Sequence, residues 1–110
     1  MAKRPGAPEI GLCTGKDCRH ADGFRTVQRE LGRICTVLEL PCLEVCDGPV
    51  VVIEPRSSES VVLERVGSRA LALDVVDHVV DGDPLSGRLR KRRLTGAKRA
   101  KSRRRVERAL

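Results

Sequence analysis

The chain is almost without aromatic side chains, holding one Phe and neither Trp nor Tyr in 110 residues. Its core must therefore be built from Val, Leu and Ile, which gives a thin apolar interior. No apolar run is long enough to span a bilayer, and the opening MAKRPGAPEI is charged and Pro-rich, unlike a secretory signal. The expectation is a cytoplasmic protein with no membrane segment. A C-x-x-C pair is also missing, which excludes a thioredoxin-type dithiol. Neither a nucleophile elbow, a Gly-rich nucleotide loop nor an identifiable acid-base pair occurs, so the sequence points away from a stand-alone enzyme.

What is present fits one modest domain, since 110 residues at 40% hydrophobic content support a single core. A domain this small gains from a disulfide or a bound metal, because burial leaves little margin over chain entropy. The five cysteines are notable for that reason. An odd number in a reducing compartment suits a disulfide framework poorly and favours metal or cluster binding.

The net charge of +7 is unevenly spread: residues 86–110 hold 12 of the 22 Lys and Arg and only Glu107 among the acids. That segment carries +11, leaving 10 basic and 14 acidic residues, or −4, in residues 1–85. Polycationic and poor in apolar residues, the segment is expected to be disordered or transiently helical. It could bind an acidic protein, a redox partner or nucleic acid; without aromatics to stack on bases, nucleic-acid contact would be largely insensitive to sequence.

Residues 1–8 read as a flexible lead-in and 9–85 as the folded domain. EIGLCT is short and apolar enough for a strand ending at the first cysteine. Phe24, Val27, Leu31 and Ile34 share one helical face over residues 22–33, with Asp22 as N-cap. CTVLELP (35–41) is β-rich and stops at Pro41. VVVIE (50–54) is a β-branched run suited to a strand buried on both faces, and SVVLERV (60–66) returns from it as a hairpin. Ser68 can cap a second helix over RALALDVVDHVVD, with Gly82 and Pro84 to end it. The fold class is α/β, a small mixed sheet of about four strands carrying two main helices.

Four cysteines form two pairs, Cys13-x4-Cys18 and Cys42-x3-Cys46, each in a loop after a strand. If the two strands are neighbours, both loops leave the same sheet edge and four thiolates can converge. Such a set makes a complete shell for a [2Fe–2S] cluster, two thiolates for each iron. Zinc also accepts four Cys, usually through tighter pairs, and buried idle thiols are the plain alternative. Polar Gly- and Asp-containing loops are poor places for core thiols, so the cluster is the favoured reading. Cys35 opens a strand without a nearby partner in sequence and reads as a core thiol outside the ligand set. His20 and His78 read as loop or helix-surface residues rather than Rieske-type ligands.

LCTGKDCRH before a helix, then PCLEVCDGPVVVI and a second helix, resembles the thioredoxin-like [2Fe–2S] ferredoxins and the related cluster-bearing small subunit of NADH:quinone oxidoreductases. The likeness spans about residues 9–82. It implies a thioredoxin-like fold, Cys13, Cys18, Cys42 and Cys46 as cluster ligands, a role as one-electron carrier or electron-transfer module, redox partner proteins, and a tendency to pair as homodimers. Thr14 to Lys16 and Leu43 to Val45 are the expected amide donors to the cluster sulfurs, with Lys16 and Asp17 colouring the docking surface. One position departs from the family pattern: Glu44 stands where a mid-loop Gly is common, and Gly tolerates backbone angles that Glu resists. A negative charge there would also depress the cluster potential. The competing class is a nucleic-acid-associated protein whose metal site is structural and whose basic segment supplies affinity.

Overall fold

The computed structural model describes residues 7–44 and 47–110. Strand β1 (Glu9–Cys13), helices α1 (Lys16–Arg19) and α2 (Phe24–Gly32) and strand β2 (Thr36–Leu40) form a strand–helix–strand unit. β1 and β2 run parallel, with Ile10 opposite Val37 and Cys13 opposite Leu40. β3 (Val51–Ile53) pairs antiparallel with β1, and β4 (Val61–Leu63) closes the expected hairpin against β3, giving the order β2-β1-β3-β4. Helices α3 (Arg69–Asp81), α4 (Gly87–Arg90) and α5 (Gly96–Ala109) follow. The architecture is thus mixed α/β, with a four-strand mixed sheet and five helices among the described residues. No helix among these residues is long and apolar enough to cross a membrane.

Strand alternation divides the interior into two layers. Ile10, Leu12, Val51, Ile53 and Leu63 pack with Phe24, Val27 and Leu31 of α2 and Leu71, Ala72, Val75 and Val76 of α3. Leu40, Val52 and Val62 belong to a second cluster, together with Leu94 and Val106. The continuous apolar run of β3 is explained by this arrangement, since all three of its residues are buried, on one face or the other.

The expectation of a disordered or transiently helical segment over 86–110 is corrected here. The backbone at 92–94 lies along β4: Leu94 N–H donates to the Val62 carbonyl at 2.9 Å, Glu64 N–H donates to the Arg92 carbonyl at 2.9 Å, and Leu63 and Arg93 form an antiparallel bridge. Leu89 is fully buried, and α5 turns Ser102 and Val106, one helical turn apart, into the protein while Lys98, Lys101, Arg104 and Arg108 stay exposed. Composition misleads because the segment needs no core of its own; a few apolar side chains suffice to cover a sheet face that the body leaves open.

Two local expectations also change. The N-cap of α2 is Gly23, at φ 83°, and no side chain caps that end, so Asp22 does not serve. The chain enters there too close to the carbonyl of Gly67 for any side chain, a Cβ at Gly23 falling 1.9 Å from that oxygen. The helix ends at Gly32, leaving Ile34 46% exposed, and Cys35 occupies the core instead with its N–H on the Leu31 carbonyl at 2.8 Å. At α3 the sequence signals hold: Ser68 Oγ accepts from Leu71 N–H at 3.2 Å and Gly82 ends the helix at φ 73°. Ser68→Ala is expected to cost about 1 kcal/mol and to lower Tm by about 4 °C, with Ser68→Asp restoring most of it, as read by thermal denaturation.

Candidate functional site

The in-register ends of β1 and β2 place Cys13 beside Leu40, so the loops that follow both strands leave one edge of the sheet. Thr14 ties them, its N–H and its hydroxyl both donating to the Leu40 carbonyl at 2.8 and 2.9 Å. Two glycines permit the closest approach. A Cβ at Gly15 would lie 2.8 Å from Cys42 Cβ, and one at Gly48 would lie 2.7 Å from Cys18 Sγ. The first cysteine loop therefore presses on Cys42, and the chain beyond the second presses on Cys18.

Cys13 and Cys18 are buried, and Cys42 is exposed. Hydrogen bonding from the neighbouring Cys18 thiol is the chief influence that brings the Cys13 thiol down to about 6. Burial opposes the effect, while the N–H groups of Gly15 and Leu43 add to it. Cys18 moves the other way, kept protonated first by that same interaction, then by burial and by the negative charge on Cys13, with a smaller push from Cys42; the Val50 N–H works against these. Cys13 Sγ also lies 3.7 Å from the Pro41 carbonyl, a contact for its protonated form.

In the metal-free chain Cys13 titrates lower folded than unfolded, so its contribution to stability is full above the ordinary cysteine pKa of about 9 and is lost as pH falls through about 6. An ultraviolet thiolate titration should show one proton leaving near pH 6. Cys18→Ala should move that midpoint upward, since the donor is gone.

Glu44 adopts the left-handed conformation, at φ 60°, that a glycine would take at that place. Its carboxylate is 2.9 Å from Lys101 Nζ and is also paired with the Arg105 guanidinium, both on α5. Lys101 chiefly holds the carboxyl below its usual range; desolvation opposes it, and the Arg105 charge adds to the lowering. Its N–H is 3.4 Å from Cys42 Sγ, to which it donates.

Of the expected amide donors, Gly15 and Leu43 serve Cys13, whereas the Thr14 N–H is taken by Leu40. Val45 and the expected ligand Cys46 lie outside the described residues. The Val50 donor was not anticipated, because it depends on how the chain returns after Pro49 rather than on any local motif. Lys101 and Arg105 were likewise missed as partners of Glu44; only their i, i+4 spacing beside Val106 hints that they share a side of a docked helix.

Cys35 is fully buried in the helix-side cluster, whereas Cys13 and Cys18 belong to the opposite one. His20 is exposed just after α1, and His78 Nδ1 is 2.6 Å from the Asp83 carbonyl oxygen. Lys16 and Asp17 are exposed on α1. Among the described residues no group of three or more His, Cys, Asp and Glu side chains is gathered to hold a metal ion. Neither a family model nor a curated protein matches the chain.

Proposed function

We propose that the protein is a small thioredoxin-like [2Fe–2S] electron carrier, or an electron-transfer module of a larger oxidoreductase, with Cys13, Cys18, Cys42 and Cys46 as ligands. The observation that carries this reading is the meeting of two buried thiols of one cluster, Cys13 and Cys18, with the Cys42 loop at one sheet edge. The order β2-β1-β3-β4, with a parallel pair built around α2 and an antiparallel hairpin, supports the thioredoxin-like assignment. Four soft thiolates suit a cluster, and the close loop packing at Gly15 and Gly48 suits a compact cradle. When bound, the cluster supplies the one-electron chemistry.

The chain contributes geometry and field. Cys13 reaches the thiolate form that ligation requires at a lower pH than an ordinary cysteine. Amides of Gly15, Leu43, Glu44 and Val50 donate to cysteine sulfurs, which disperses negative charge on them and raises the reduction potential. Burial of Cys13 and Cys18 keeps water from one side of the site, while the exposed Cys42 loop faces an approaching redox partner. The reading places the protein in the cytoplasm, as a carrier rather than a stand-alone enzyme.

Anaerobic reconstitution with iron and sulfide tests it. The expected product contains two iron and two sulfide per chain, absorbs in the visible and gives a paramagnetic signal on one-electron reduction. Stoichiometric zinc without sulfide would sink it.

The cationic face of α5 favours a second reading, as a nucleic-acid-associated protein. Among the described residues Arg104 and Arg108 are exposed and make no ion pair, and with Lys101 and Arg105 they line a shallow depression of about 240 Å³. Binding of a DNA or RNA duplex that falls steeply with salt and is lost in Arg104→Glu/Arg108→Glu would support it.

A further inference from the structure

The left-handed backbone at Glu44 and the two cations that grip its carboxylate are far apart in sequence, Arg105 lying 61 residues on, and no local signal links them. A non-Gly residue in this conformation needs surroundings that over-determine it. Three observations supply them. The Glu44 carboxylate is paired with Lys101 and Arg105, its N–H is directed at Cys42 Sγ, and α5 is itself fixed to the body through Val106 and through Leu94 along β4.

We infer that Lys101 and Arg105 are positioning residues for the second cysteine loop: by gripping Glu44 they hold the backbone that orients Cys42. The inference rests on the proposed role of Cys42 as a ligand for its functional meaning, though not for its test. Carboxylate held by an ammonium on one oxygen and a guanidinium on the other has little rotational freedom, so the grip transmits direction as well as charge. It also neutralises the charge that Glu44 would otherwise place beside the site. A lone carboxylate there would depress the potential of a bound cluster; one matched by two cations does not. The basic C-terminal helix is thereby part of the site, although none of its side chains is a ligand.

The full chain carries the test, with amide hydrogen exchange at Leu43 and Glu44 measured in the metal-free form by NMR. Lys101→Glu/Arg105→Glu should speed exchange at both amides by about three- to fivefold, the scale expected when a partly exposed charge network is broken. Adding Glu44→Lys to that pair restores opposite charges and should return exchange to near the wild-type rate. Arg104→Gln/Arg108→Gln, on the same helix and outside the Glu44 ion pairs, introduces no carboxylate that could compete for Lys101 and Arg105; it should leave both amides unchanged and so controls for lost positive charge on the helix. In reconstituted protein, the first pair should shift the midpoint potential and the triple variant should reverse the shift. Unchanged exchange in the first pair, no recovery in the triple variant, or an equal effect from the Arg104/Arg108 pair would each overturn the inference. If the chain instead takes up zinc without sulfide, the electron-carrier reading fails while the exchange result still decides the positioning role.

Discussion

Cys13→Ser and Cys18→Ser are each expected to abolish assembly of the native [2Fe–2S] chromophore, whereas Cys35→Ser should retain it. The contrast follows from which side of the sheet each sulfur occupies. Cys13 and Cys18 share one buried cluster at the edge where the two cysteine loops meet, and Cys35 lies in the cluster beneath α2 and α3. Serine is a weak ligand for iron because its hydroxyl is hard and remains protonated at neutral pH, so loss of one thiolate from four leaves the shell incomplete. Cys42→Ser and Cys46→Ser should behave like the first two. In Cys35→Ser the added hydroxyl replaces a fully buried thiol, which should lower Tm by several degrees while leaving the absorption spectrum in place. Iron and sulfide analysis alongside thermal denaturation separates the two kinds of loss. Equal loss of cluster in all the variants, Cys35→Ser included, would refute the ligand assignment.

Much of the sheet and the helices α2 and α3 were legible because their signals are local. The 3.6-residue recurrence of Phe24, Val27 and Leu31 and the Ser68 cap each act within one or two turns, and the structure keeps them. Ile34 extended the same pattern by one residue too many, since periodicity marks a face and does not say where the helix stops. The paired cysteine loops were legible only together: each is an ambiguous motif until a parallel β1–β2 register sends both from one edge. Residues 86–110 were misjudged for a different reason. Disorder rules weigh a segment by the core it could build alone, yet β3 already announced a second buried face that something else had to cover. A doubly buried strand and a basic segment that could not build a core alone were two halves of one arrangement. The Glu44 grip was illegible altogether, as contacts between an acid in a loop and cations on a later helix depend on tertiary packing that no spacing encodes.

Val106→Asp is expected to be more damaging than any cationic substitution on α5, despite changing one residue in a helix that composition marks as soluble and unstructured. Val106 is 1% exposed and packs in the cluster that contains Leu40, Val52, Val62 and Leu94. A carboxylate there is either ionised without a partner or forced to bind a proton, and both cost several kcal/mol, so α5 should lift from the sheet. Since the cluster that α5 covers contains no aromatic ring to compensate, Val52 and Val62 would then face water. A drop in Tm of about 10 °C or more is expected, with loss of helical circular dichroism and new binding of an apolar dye. The consequence reaches the cysteines as well, because Lys101 and Arg105 leave with the helix and Glu44 loses both partners. Reconstitution should therefore be impaired in Val106→Asp even though every cysteine is intact, whereas Val106→Ile, which keeps the face apolar, should preserve it. A Val106→Asp protein with wild-type Tm would show that α5 does not complete the fold, and one that loses stability yet assembles a normal cluster would show that the helix serves the sheet alone and leaves the cysteine loops to hold themselves.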